Sequence, residues 1–314
     1  MDRSLDRYGT LVQYSSVVRR KTGSGRAGES WLGAHMDNFA RYFTAYTLEL
    51  KGQPFESVYV DAFSGTGYRS LREGAARPAL LFPELAEDGP QALLEATRRL
   101  AVRAEPRFHE TTFVDRVAQP RDLVQELAAD APDRVDAIRL VHGEPNAVIQ
   151  ELCNRTWSAR RGVLFLDPFG FDIEWSTIRA IARTCAIDLW LFLPVGMGVN
   201  RLSRSGGFPA SWCERIDALL GRKDWIDSLD AAQDVPSAAP SETRQTRRAK
   251  ARLRVVGKAL NDRLEAVFAA VAPNPRVLMS ATNRPLYLMC FAVGNPVSAA
   301  PALRLAKHIL GDVG

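Results

Sequence analysis

A chain of 314 residues, 46% hydrophobic and 25% charged, can bury a large core and has the composition of an ordinary globular protein. No apolar run approaches the roughly 20 residues of a membrane helix. The charged opening MDRSLDRYGT lacks an apolar signal core, so the expectation is a cytoplasmic protein without a membrane partner. The net charge of +5 is concentrated, because seven basic residues and no acidic ones lie between Arg244 and Lys258, which leaves the rest of the chain close to neutral.

Residues 1–30 are polar and contain Gly23, Gly25 and Gly28, which suggests a loosely held arm. From Trp31 to Leu50 the apolar residues recur at spacings of three and four (Trp31, His35, Phe39, Tyr42, Phe43, Tyr46, Leu50), the period of a helix packed on a sheet. Trp31 and His35 have a second reading, as residues that close a pocket ahead of the first strand. Gly52 and Pro54 end the helix.

The stretch Val58–Gly67 then organises the chain. Val58, Tyr59 and Val60 have the composition of a strand covered on both faces, Asp61 ends the apolar run, and Phe63-Ser64-Gly65-Thr66-Gly67 forms a glycine turn. Gly65 and Gly67 permit the close backbone approach that a ligand needs at the carboxyl edge of a parallel strand. The third position of G-x-G-x-x-G is Ser70 and no G-K-[ST] follows, which disfavours both a nicotinamide cofactor and a P-loop. The D-x-F-x-G-x-G pattern after a strand is similar to the cofactor loop of class I S-adenosyl-L-methionine (SAM) methyltransferases, which implies SAM held by Asp61, Phe63, Gly65 and Gly67.

Residues 68–89 are rich in Arg, Gly and Pro, and Arg69, Arg72 and Arg77 read either as phosphate-facing or as solvated. A helix is expected from about Pro90 to Ala101. A second strand follows at Glu110–Val114, ending in Asp115, whose carboxylate suits the two hydroxyls of a ribose; a surface or helix-capping role is the alternative. After a helix near Arg121–Ala129, a third strand at about Ala137–Val141 leads to His142-Gly143-Glu144-Pro145-Asn146. Glu144 is a candidate for adenine recognition, or simply the cap of the helix Asn146–Cys153.

The fourth strand, Gly162–Leu166, is wholly apolar and ends in Asp167-Pro168-Phe169-Gly170, which puts a carboxylate at the sheet edge beside the topological switch point. The helix Glu174–Arg183 and the strand Ala186–Leu193 continue the alternation. Residues 203–230 read as one or two short helices, 231–243 as an exposed connection, and the basic stretch as the start of a helix reaching about Val271. The strands Arg276–Ser280 and Leu286–Val293 form a hairpin-like pair, and the helix Ala300–Leu310 closes the chain. Cys153, Cys185, Cys213 and Cys290 lie far apart without a C-x-x-C pair and read as buried free thiols, with no metal site expected.

The fold class that follows is α/β: a Rossmann-like class I methyltransferase fold, its sheet mostly parallel and seven-stranded with an antiparallel closing strand and a helical insertion. The expected organisation is an arm and helix over 1–54, a cofactor-binding core over 55–202, a helical insertion with the basic segment over 203–272, and a closing strand pair and helix over 273–314.

Five blocks together resemble a bacterial family, the three-Cys-motif partner proteins (TcmP): Trp31 with His35, YVDAFSGTG at 59–67, LDPFGF at 166–171, IDLWLFLPVGMGVNRL at 187–202, and PLYLMCFAVGNP with ALRLAKHIL at the end of the chain. The resemblance implies a methyltransferase-like fold and a partner protein that carries three cysteines and looks like a radical-SAM enzyme. Members tend to carry F-A-G-P-G, whereas Thr66 makes this loop closer to that of DNA amino-methyltransferases.

An Asp-Pro-aromatic motif suits methyl transfer to an exocyclic base amine. Asp167 and the Pro168 carbonyl would accept the amine hydrogens, Phe169 would stack on an unpaired or flipped base, and Gly170 would complete the turn. A C5-cytosine mechanism needs a cysteine where Phe169 stands, which excludes it. Arg244, Arg247, Arg248, Lys250, Arg252 and Arg254 would then meet phosphates, or form a solvated helix face. The main expectation is a SAM-dependent methyltransferase of nucleic-acid amines; the alternative is a catalytically silent partner of the three-Cys-motif protein. A nuclease holding Mg²⁺ on Asp61 and Asp167 is a weaker third reading.

Overall fold

The structure is a computed structural model that describes residues 27–62, 97–116, 125, 127–129, 131–167, 172–193, 195, 210–227, 244–273, 275–279 and 285–310. Helix α1 (Ala27–Leu50) precedes strand β1 (Glu56–Ala62). Residues 97–102 are helical and lead to β2 (Glu110–Asp115). Then come β3 (Ile138–His142), α2 (Pro145–Cys153), β4 (Arg160–Leu166), α3 (Trp175–Arg183) and β5 (Ile187–Leu193). After α4 (Ala210–Leu220) and α5 (Arg244–Glu265), the chain returns through β6 (Ala270–Val271), β7 (Arg276–Met279) and β8 (Pro285–Val293) to α6 (Ala299–Leu310).

The strands make one mixed, mostly parallel sheet in the order β3-β2-β1-β4-β5-β8-β6, with β7 also on β8. Strands β1 to β5 are parallel, and β8 runs antiparallel to β5. This arrangement is compatible with a Rossmann-like fold. The chain winds outward from β1 to β3, crosses over, and winds the other way from β4, so a topological switch point lies between the carboxyl ends of β1 and β4.

Two differences from expectation have a common cause. Among the described residues the sheet has eight strands rather than seven because β6 and β7 lie one after the other along the same edge of β8, opposite Val293–Ala292 and Met289–Pro285 respectively. Pro273 and Pro275 stand between them; proline has no amide to give to the ladder, so the edge strand breaks there. Helix α5 accordingly stops at Glu265 instead of reaching Val271, whose backbone pairs with β8.

Because both faces of the sheet are covered, the central strands β1, β4, β5 and β8 are apolar over most of their length, and their alternate residues feed two different cores. One face is largely aliphatic: Val58, Val60, Leu164, Leu166, Leu189 and Leu191 pack with residues of α2, α3, α4 and α5. The insertion expected at 203–272 therefore supplies helices to this layer. The other face is aromatic. Tyr59, Phe113, Phe165, Trp190, Phe192 and Phe291 meet Phe39, Tyr42 and Phe43 of α1, with Trp190 and Phe291 centroids 4.5 Å apart and Phe43 edge-on to Tyr59 at 5.5 Å. The helical period read for α1 thus describes its packing for Phe39, Tyr42 and Phe43; the side chains of Trp31 and His35 lie outside the described residues.

The thiols only partly match the expectation of burial. Cys290 is buried, Cys153 and Cys213 are intermediate, and Cys185 is exposed. Cys185 takes φ +47° just past α3, in the left-handed turn that swings the chain into β5, which leaves its side chain in solvent.

Candidate functional site

The register of the central strands brings the strand-ending acids to one face. Asp61 of β1 lies opposite Phe113 of β2 and Phe165 of β4. Asp115 and Asp167 are each two residues further along their strands, and side chains two apart share a face. All three acids therefore lie on the aromatic side of the sheet, at its carboxyl edge, around the switch point. Asp61 and Asp167 are deeply buried, 6% and 4% exposed, while Asp115 is half-buried.

Among the described residues one buried cation pairs with Asp61. Arg98, on the helical segment 97–102, places Nε 3.1 Å from Asp61 Oδ2, with its side chain 10% exposed. The Tyr59 hydroxyl donates to the same oxygen at 3.4 Å. Burial pushes the Asp61 carboxyl above its ordinary pKa, against the pull of Arg98 and the Tyr59 hydrogen bond. Burial works against the Arg98 charge as well, but the acids around it outweigh that effect and hold its pKa high.

Asp167 is the outlier of the cluster. Among the described residues neither carboxylate oxygen has a hydrogen-bond partner. Burial raises its pKa to about 8; Arg98 opposes the rise and Asp61 adds to it. A buried acid without partners is costly to keep, and such groups concentrate where a ligand completes the arrangement.

Glu144 has a defined structural role. It is the N-cap of α2, accepting the Ala147 amide on Oε2 at 3.0 Å, while Oε1 takes Arg116 Nη2 at 2.8 Å and Asn146 Nδ2 at 3.3 Å. Partial burial raises its pKa, but these hydrogen bonds outweigh burial and hold the carboxyl below its ordinary range.

The segment that leaves the site after β4 is pinned from the same turn. Asn146, buried, donates from Nδ2 to the Asp172 carbonyl at 2.9 Å and accepts from the Glu174 amide at 3.0 Å and from Thr177 Oγ1 at 2.8 Å. The Asp172 carboxylate lies between Arg116 and Arg215 of α4, each at 3.2 Å. Asp172 is thus held firmly just past the Asp-Pro-Phe-Gly motif, whose Asp167 carboxylate stands at the end of β4.

Phe63, Gly65, Gly67, Pro168, Phe169 and Gly170 lie outside the described residues. So do the side chains of Arg244, Arg247, Arg248, Lys250 and Arg252, although their backbones belong to α5; Arg254 is exposed. Further along α5, Leu253, Val256, Leu260 and Leu264 enter the core, Lys258 pairs with Asp262 at 2.7 Å, and the Arg263 guanidinium covers Trp175 at 4.2 Å. The carboxyl half of the basic helix is therefore a core helix with a charged outer side.

The reading of the sequence did not pick out Arg98 or Asn146. Arg98 did leave a signal, since it stands one helical turn before the apolar Ala101 and Val102, on a face that has to be buried. Among the described residues no group of three or more His, Cys, Asp or Glu side chains is disposed to hold a metal ion, and no helix is long and apolar enough to cross a membrane. No family model matches the chain, and no curated protein matches it significantly.

Proposed function

We propose that the chain is a SAM-dependent methyltransferase of class I fold that acts on an exocyclic amine of a nucleic-acid base, together with a radical-SAM-like three-Cys-motif protein. The observation that carries this reading is Asp167: a buried carboxyl without a partner among the described residues, one strand from Asp61 at the switch point of a parallel sheet. The site fits the cofactor in its donor set. Asp115 ends the neighbouring strand, where a ribose diol is bound in nucleotide-binding sheets, and Gly65 and Gly67 follow β1 where the backbone must approach closely.

When bound, the cofactor supplies an electrophilic methyl group on a sulfonium. Asp167 and the Pro168 carbonyl would accept the two amine hydrogens and so orient the nitrogen lone pair, and Phe169 would stack on the base. The amine nitrogen would take up this methyl group and give up one proton, which the Asp167 carboxylate would accept. Little covalent help is needed, so positioning supplies most of the rate. Glu144 would border the adenine end of such a ligand, as a cap whose carboxylate also fixes Arg116. The basic amino half of α5 would neutralise phosphates, with binding that weakens as salt rises.

The test is transfer of labelled methyl from SAM to unmodified tRNA or DNA. Asp167→Ala is expected to lower incorporation at least about a hundredfold while SAM still binds. Full incorporation by the variant would remove Asp167 from the chemistry. A silent partner protein is the second reading, favoured by the Arg98–Asp61 pair, which already satisfies one acid of the site. It predicts co-purification with the three-Cys-motif protein and no methyl transfer by the complex.

A further inference from the structure

We propose that the Asp61–Arg98–Asp167 cluster selects its ligand by charge: it takes a monocationic ligand by releasing a proton, and holds the uncharged product of the same shape more weakly. This inference rests on the cofactor assignment above and goes beyond it, to how the site tells cofactor from product.

The geometry supplies the charge count. Asp61 and Asp167 face the same side of adjacent strands, both nearly inaccessible, and Arg98 is the buried cation that meets them. Among the described residues the surrounding elements add no second cation to that face. Strand β1 contributes Tyr59, β2 ends in Asp115, β4 and β5 bring Phe165, Trp190 and Phe192, and α1 brings Phe39 and Phe43. Arg99 of the 97–102 helix and Arg103 just past it are exposed, and Arg116 is engaged with Glu144 and Asp172. Asp188 lies opposite Val163, near the start of β4, and so belongs to the other end of the sheet.

With both carboxyls ionised the cluster carries one net negative charge out of reach of water, an arrangement that burial resists. Without a cationic ligand the site therefore keeps a proton on Asp167, in line with its raised pKa. At neutral pH SAM carries a carboxylate, an ammonium and a sulfonium, and is a monocation; S-adenosylhomocysteine has lost the sulfonium charge and is neutral overall. Binding the monocation compensates the second carboxylate, so the Asp167 proton passes to solvent. After transfer, the proton lost by the methylated amine returns to Asp167 as the sulfur becomes neutral. The cluster is then uncharged again, and the product is released from a site that no longer attracts it.

Calorimetry of the wild-type protein at pH 7, in phosphate and in Tris, reads the proton count from the difference in heat between buffers. SAM and its ammonium analogue sinefungin, also a monocation, are expected to release close to one proton each. Both are expected to bind at least about tenfold tighter than S-adenosylhomocysteine, which releases none. From pH 6 to 7.5 the affinity for SAM should rise about tenfold per unit, as loss of one proton requires, while that for the product stays level. Asp167→Asn, isosteric and uncharged, should abolish proton release and reduce the preference to less than about threefold. Equal affinities without proton release, or proton release kept in Asp167→Asn, would overturn the charge mechanism and leave the cofactor assignment standing. If neither SAM nor its product binds, both fall. Should the asparagine variant not fold, the pH series on the wild type alone decides.

Discussion

Gly294→Ala is expected to destabilise the protein by about 3 kcal/mol or more, lowering the melting temperature by several degrees or more. A Cβ at this position would stand 2.3 Å from the Ile187 carbonyl oxygen, 2.9 Å from its nitrogen and 3.0 Å from its carbonyl carbon. These are backbone atoms, and Ile187 is held in register with Gly162 at the start of β5. No side chain can move aside to make room. The Gly294 amide also donates to the buried Asp188 carboxyl at 3.1 Å, a bond that any outward shift of the end of β8 would lengthen. Gly52→Ala is the control: it sits at φ +79° with nothing within 4 Å of the added carbon, so only the backbone strain of roughly 1 kcal/mol applies. A thermal melt of Gly294→Ala within two degrees or so of the wild type would show that β8 does not close on β5 as described.

The ligand-free protein is also expected to lose stability as pH rises through neutrality, with Asp167 a main cause. Its pKa is raised from the model-peptide value of 3.8 to about 8, so between these values the native state holds a proton that the unfolded chain has released. Stability falls with pH wherever the native state binds more protons, so the loss runs through this window and levels off above about pH 8. Asp188, raised by burial to about 7, contributes in the same direction and levels off earlier. One proton difference is about 1.4 kcal/mol per pH unit, so the fall from pH 6 to 8 is on the order of 2–3 kcal/mol from Asp167 alone. Asp167→Asn should flatten this part of the profile and raise the melting temperature at pH 8. A variant whose melting temperature tracks the wild type across that range would contradict the burial and isolation of Asp167.

These two effects arise at positions the sequence marks unequally. Asp61 and Asp167 were legible because a buried parallel strand is apolar throughout, and a carboxylate that ends such a run stands at the edge where ligands bind. Strands β4, β5 and β8 were legible for the same reason, and the pairing of β7 with β8 from two apolar runs close together in the chain. Arg98 was not, since it lies 37 residues from Asp61 and meets it only when the 97–102 helix packs on the aromatic face. Asn146 reads locally as a helix-start residue; its contacts with Asp172, Glu174 and Thr177 depend on α2 and α3 lying side by side. Glu144 showed the reverse: the plain local reading, a helix cap, describes what its carboxylate does. The end of α5 was misjudged because Ala270 and Val271 are apolar in either state, and only the edge of β8 makes them a strand.

The central claim is that the carboxyl edge between β1 and β4 takes a SAM-type cofactor, and the most direct measurement is titration of the purified protein with SAM by calorimetry. Saturable binding of one SAM per chain, strongly weakened by Asp115→Ala, is the predicted result. No binding of SAM by a correctly folded protein, alone or with an added three-Cys-motif protein, would contradict it.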